Sequence, residues 1–169
     1  MAYNYSATIK ETTQTSFENQ QDLTTGTDAL SLTWARSYTY GTGANKAQIQ
    51  WHDERSLATT TNETLDLQAL AGGMFGTANF SKVKEIRIRL VTTTAGYRIE
   101  ISPGGTNPWL GIFGSATDKV TIYADGVFAV ASAVDGFAVS STSKTLKINN
   151  PSGGSVTYDI VVIGEGSIS

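Results

Sequence analysis

Apolar and polar residues alternate with a period of two along much of this chain, the repeat of a β-strand with one covered face. Between residues 85 and 91, Ile86, Ile88 and Leu90 fall on one side while Glu85, Arg87 and Arg89 fall on the other. Val83 shares its phase with the charged set, which predicts a bulge or the start of the strand near Lys84. Similar alternations occur at Leu30, Leu32 and Trp34, at Ile49 and Trp51, at Leu65 and Leu67, and at Tyr97, Ile99 and Ile101. Asp125-Gly126 lies between Val120 and Ile122 on one side and Phe128 and Val130 on the other, the pattern of a β-hairpin turn. Further strands are expected around residues 137–140 and 145–148.

Two segments depart from this pattern. Residues 6–27 are rich in Thr, Gln, Asn and Glu, with Ile9, Phe17 and Leu23 as the large apolar residues. So little apolar surface does not fold by itself, so an arm over residues 1–27 that is extended, mobile or ordered only against a neighbour is expected ahead of a single domain over residues 28–169; an edge strand with a loop is the alternative. The last run, Ile160, Val161, Val162, Ile163, is apolar on both faces. Such a strand is either central between two layers or covered outside by another subunit.

Eight to ten short strands without a long amphipathic helix imply an all-β, two-sheet sandwich. A jelly roll fits the strand number, with immunoglobulin-like topology open. Over 169 residues one core is affordable, and with no cysteine its stability comes from packing. The formal net charge of −3 argues against nucleic-acid binding. Neither a signal peptide nor a membrane-spanning run is expected.

Candidate chemistry is sparse. His52 is the only histidine, and its neighbour Asp53 points to the opposite face of a strand, so no catalytic residues are assigned. One histidine, no cysteine and scattered acids give no metal set, and Gly41-Thr42-Gly43-Ala44-Asn45-Lys46 lacks the ending of a phosphate loop, so no cofactor is expected. Interface chemistry is better represented. Lys82, Lys84, Arg87, Arg89 and Arg98 would form a basic stripe if their strands were adjacent. Trp109 and Phe113 belong to the densest aromatic cluster, either a loop plug in the core or a subunit contact, and Val161 and Ile163 are contact candidates on the last strand. Phe17 is the arm's aromatic anchor. Trp51, Trp109 or Tyr97 could instead stack on a sugar.

The segments Gly41-Thr42-Gly43-Ala44-Asn45-Lys46-Ala47, Trp51-His52-Asp53-Glu54-Arg55-Ser56-Leu57-Ala58, Glu63-Thr64-Leu65-Asp66-Leu67 and Phe80-Ser81-Lys82-Val83-Lys84 come in a recognisable order. With residues 107–113, Asp125-Gly126-Val127-Phe128 and the ending Val156-Thr157-Tyr158-Asp159-Ile160-Val161-Val162-Ile163-Gly164, the chain resembles small virion structural proteins of tailed bacteriophages and prophages. The resemblance spans residues 30–164 and rests on the order and spacing of these motifs. It implies a jelly-roll-like, trimeric capsid decoration or cement protein, partnered by itself and by the major capsid protein on the outer surface of a head assembled in the host cytoplasm. A tail, baseplate or head-fibre position is the alternative. The resemblance transfers no catalytic residue.

Overall fold

The computed structural model describes residues 4–20, 22–73 and 75–169. Among the described residues thirteen strands are formed: β1 (Ser6–Gln20), β2 (Thr25–Tyr40), β3 (Lys46–Ala47), β4 (Ile49–Leu57), β5 (Asn62–Asp66), β6 (Leu70–Gly73), β7 (Gly76–Leu90), β8 (Arg98–Pro103), β9 (Val120–Tyr123), β10 (Val127–Ala131), β11 (Phe137–Ala138), β12 (Thr145–Asn149) and β13 (Val156–Ile168). Eight of them build the body. Strand β4 pairs with β13, β5 with β12, β7 with β10 and β8 with β9, all antiparallel. First with last, second with second-last and so inward is the pairing of one long hairpin rolled on itself. The roll leaves two sheets, ordered β10-β7-β13-β4 and β5-β12-β8-β9, the former extended by β6 and β11. This is a jelly roll, the topology favoured from strand number.

Alternation decides what lies between the sheets. Ile86, Ile88, Leu90, Tyr158, Ile160 and Val162 from one sheet meet Ile99, Ile101, Leu146 and Ile148 from the other, all buried in one cluster. Of the bulge or strand start expected near Lys84, the bulge is present and the strand runs on back to Gly76: Ile163 pairs with Glu85 and Gly164 with Val83, so Lys84 is passed over, and a second shift passes over Ser81. The bulge turns Lys84 into a sealed position. Its ammonium lies 3.1 Å from the Glu165 carboxylate and donates to the Gly43 carbonyl at 3.1 Å and the Val134 carbonyl at 2.9 Å. Burial raises the pKa of Glu165, but the Gly43 N–H and Lys84 outweigh it and hold this carboxyl below the usual range.

Two sequence expectations fail because this roll sends β7 and β8, and again β9 and β10, to opposite sheets although they are neighbours along the chain. The Asp125-Gly126 turn does not close a hairpin: β9 pairs with β8 and β10 with β7. Asp125 adopts φ of 56°, and the Gly126 N–H donates to Tyr123 at 2.8 Å, so the turn is a corner between layers. The basic stripe is likewise divided. Lys82, Arg87 and Arg89 stand on β7, Lys84 is enclosed, and Arg98 stands on β8 in the other sheet.

Residues 6–40 form a separate feature. Strands β1 and β2 pair in register from Ser6↔Thr39 to Gln20↔Thr25, a two-stranded ribbon that contains both the polar arm and the segment 30–34 expected to begin the sandwich. The expected boundary at residues 27 and 28 therefore falls inside β2. The base of the ribbon rests on the outer side of β13, where Tyr38, Ala47 and Ile163 are buried together with Tyr5, Ala7, Ile9 and Val161 packed around them. The apolar outer side of the last strand is thus covered by its own chain.

Candidate interaction surface

Opposed residues of an antiparallel pair share a face, so the register sorts the ribbon into two unlike sides. One side carries Tyr5, Ala7 with Tyr38, Ile9 with Arg36, Glu11 with Trp34, Thr13 with Leu32, Thr15 with Leu30, and Phe17 with Asp28. The other carries only small or polar partners, among them Thr8 with Ser37 and Thr12 with Thr33, each hydroxyl pair 3.2 Å apart. All of the ribbon's large apolar residues in paired positions therefore lie on a single side.

Polar groups fasten the base of that side. The Glu85 carboxylate, 1% exposed, accepts from Tyr38 Oη at 3.3 Å and from Arg36 at 3.3 and 3.4 Å. Glu11 accepts from Arg87 at 2.6 Å and lies 3.4 Å from Arg36, tying β1 to β7. The Arg36 guanidinium is pushed above its ordinary pKa by its hydrogen bonds to Glu85. Burial and the Glu85 charge push the Tyr38 hydroxyl up to about 12, and burial with Tyr38 and Glu85 nearby does the same to Tyr5.

Beyond this clasp the cover ends. Every described residue from Thr12 to Ala35 is exposed. On the apolar side Phe17 is 73%, Leu30 47%, Leu32 41% and Trp34 52% exposed. Nine residue pairs, about 30 Å at the rise of an antiparallel strand, project in this way. An isolated two-stranded ribbon is marginal in water, and this one leaves its apolar side bare.

The sheet beneath the ribbon also has an uncovered part. On its outer side Arg89 is opposed by Val127 and Asp159, and Arg87 by Ala129 and Val161. A shallow recess lies there, lined by Arg87, Arg89, Val127, Asp159 and Val161. It adjoins the ribbon base through Val161, and Val127 is 57% exposed.

The remaining sequence candidates lie elsewhere. Trp109 is fully buried, its indole N–H donating to Ala138 at 2.9 Å and its ring edge-on to Phe137 at 6.4 Å. Gly111 permits this: a Cβ there would stand 2.6 Å from the indole. Phe113 packs half-buried against the same core. Trp51 is buried and donates to Ala71 at 2.9 Å, so neither tryptophan offers a sugar platform, and Tyr97 is half-buried. His52 is exposed on the outer sheet side, whereas Asp53 pairs with Arg55 at 2.8 Å on the other. Arg55 also pairs with Glu63, which accepts from Tyr158 at 2.7 Å, a polar clasp between the edges of the two sheets. Among the described residues no three His, Asp or Glu side chains converge as a metal set.

No protein-family model matches the chain, and no curated protein matches it. Among solved structures, the coat protein dimer of Tobacco streak virus overlaps 71% of this chain and 89% of its own, with 9% identity and a TM-score of 0.34. An overlap this loose has no bearing on function. The ribbon's bare apolar side was missed from sequence because Leu30, Leu32 and Trp34 carry the same alternation as core strands. The only hint was their following a segment too polar to supply a cover.

Proposed function

We propose that this chain is a non-enzymatic structural protein of a tailed-bacteriophage virion, a decoration or cement protein that associates with itself, as a homotrimer, and with the major capsid protein on the outer head surface. The observation that carries the reading is the projecting ribbon with an apolar side that no described residue of the chain covers. A rigid jelly-roll body supplies the platform, and the ribbon supplies reach and contact area. The ordered motifs of residues 30–164 support the same setting. Many copies, each making modest contacts, hold a shell together because attachment at several points raises effective concentration.

The test is co-sedimentation of the purified chain with expanded capsid shells, followed by its location in intact particles. Saturable binding in many copies over the head is expected. Failure to bind shells would overturn the cement role, and labelling confined to the tail would move the chain to a tail or baseplate position.

A further inference from the structure

We infer that the bare apolar side of the ribbon docks on the outer sheet face of a second copy of this chain, in the recess formed by β7, β10 and β13. The match is already made once within the chain. At the ribbon base, Ala7, Ile9 and Tyr38 of this same side pack on Val161 and Ile163 of this same sheet face. Farther out the ribbon side continues as Trp34, Leu32, Leu30 and Phe17, and the sheet face continues past the half-buried Val161 to Val127, which like those four ribbon residues is exposed to solvent. A chain cannot bring its own two halves together without losing the clasp at Glu85. A neighbour can.

Charge complementarity selects the same partner. Residues 12–34 contain the acids Glu18, Asp22 and Asp28 and no Lys or Arg. The recess is bordered by Arg87 and Arg89, with Asp159 beside Arg89, and Arg89 pairs with the exposed carboxylate of Asp125 at 2.8 Å, the two side chains being 54% and 60% exposed. Such a pair is cheaply exchanged for another. Size also suffices: a ribbon side about 30 Å long and about 10 Å wide presents roughly 300 Å² in projection. In a closed trimer each chain gives one ribbon and receives another, so each ribbon-on-sheet contact buries about 600 Å² counting both surfaces, and the three contacts bury about 1,800 Å² over the assembly. The inference rests on the virion reading only for its biological setting.

The experiment is sedimentation velocity of the full chain over a concentration series, joined to cysteine cross-linking, for which the cysteine-free sequence is a clean background. Masses above one 18.0 kDa chain are expected. Leu32→Ser with Trp34→Ser, and separately Arg89→Glu, should each weaken association by at least about tenfold while leaving the circular dichroism of the body intact. Leu32→Cys mixed with Val127→Cys should form a disulfide-linked pair, and Leu32→Cys mixed with Tyr123→Cys, whose site is exposed on the other sheet, should not. A chain that stays monomeric, association indifferent to these substitutions, or equal cross-linking to both sites would overturn the inference. A monomer that binds shells through its ribbon would do so while leaving the shell-binding part of the proposed function standing and removing its homotrimer; self-association without shell binding would do the reverse.

Discussion

Strands β2 and β7 carry the same alternating signature and meet opposite fates. Ile86, Ile88 and Leu90 on β7 are fully buried, whereas Leu30, Leu32 and Trp34 on β2 remain 41–52% exposed. Alternation specifies that a segment is a strand and which side wants cover; it does not specify what the cover is. For β7 the opposite sheet provides it. For the outer half of β2 no described residue provides it, and that side is available to another molecule. The difference between body and ribbon is therefore one of completeness, and it can be tested by substitutions that affect one region and spare the other.

The largest effect belongs to the body. Trp109→Ala removes a fully buried ring and leaves the Ala138 carbonyl without its donor, so a loss of about 4 kcal/mol is expected in urea unfolding. Next comes the pair enclosed by the bulge. Lys84→Met leaves the Glu165 carboxylate and two carbonyls without their cation, at a cost of about 3 kcal/mol. Because the folded chain holds Glu165 below the usual carboxylate range, its contribution is present above that range and disappears as pH falls through the depressed value. Glu165→Gln should flatten the acid limb of stability measured by urea unfolding at a series of pH values. An unchanged limb would mean that Glu165 is not held by Lys84 and Gly43.

A smaller effect tests the join between the two regions. Tyr38 and Tyr5 ionise near pH 12 in the folded chain against an ordinary 10.0. The folded state thus binds more protons between these values, so the stability of the ribbon base is intact below pH 10 and is lost as pH rises toward 12. Tyrosinate absorbance should show at least three late-titrating groups, Tyr5, Tyr38 and Tyr158, the last pushed up by burial and by its hydrogen bond to Glu63, and Tyr38→Phe should remove one of them. That substitution also deletes the hydrogen bond to Glu85, at about 1 kcal/mol. Titration of every tyrosine near its ordinary value would show that the ribbon base is loose.

Much of the body was legible because its sequence is locally consistent. The inward phases of β7 and β8, the bulge at Lys84 and the sandwich class all follow from period and parity. Pairing was less legible, since Asp125-Gly126 makes a turn in either case and only the rolled topology decides that it joins different sheets. The basic stripe dissolved for the same reason. The ribbon was the least legible part. Its β1 strand has the composition of a disordered arm, and it is ordered by register with β2, a relation between segments that neither segment encodes alone.

The smallest expected effect completes the comparison. Trp34 is exposed on a ribbon that touches the body only at its base, so Trp34→Ser should change unfolding of the dilute, monomeric chain by less than about 0.5 kcal/mol. Its signature is optical instead. Of the three tryptophans, Trp51 and Trp109 are buried and Trp34 is 52% exposed, so acrylamide quenching of the dilute wild-type chain should resolve one accessible and two protected fluorophores. Trp34→Ser should abolish the accessible class. In the wild type that class should shrink as concentration rises, because the residue that costs the fold least to lose is the one a second molecule would cover. Persistent quenching at every concentration would separate the two properties and leave the ribbon a bare projection.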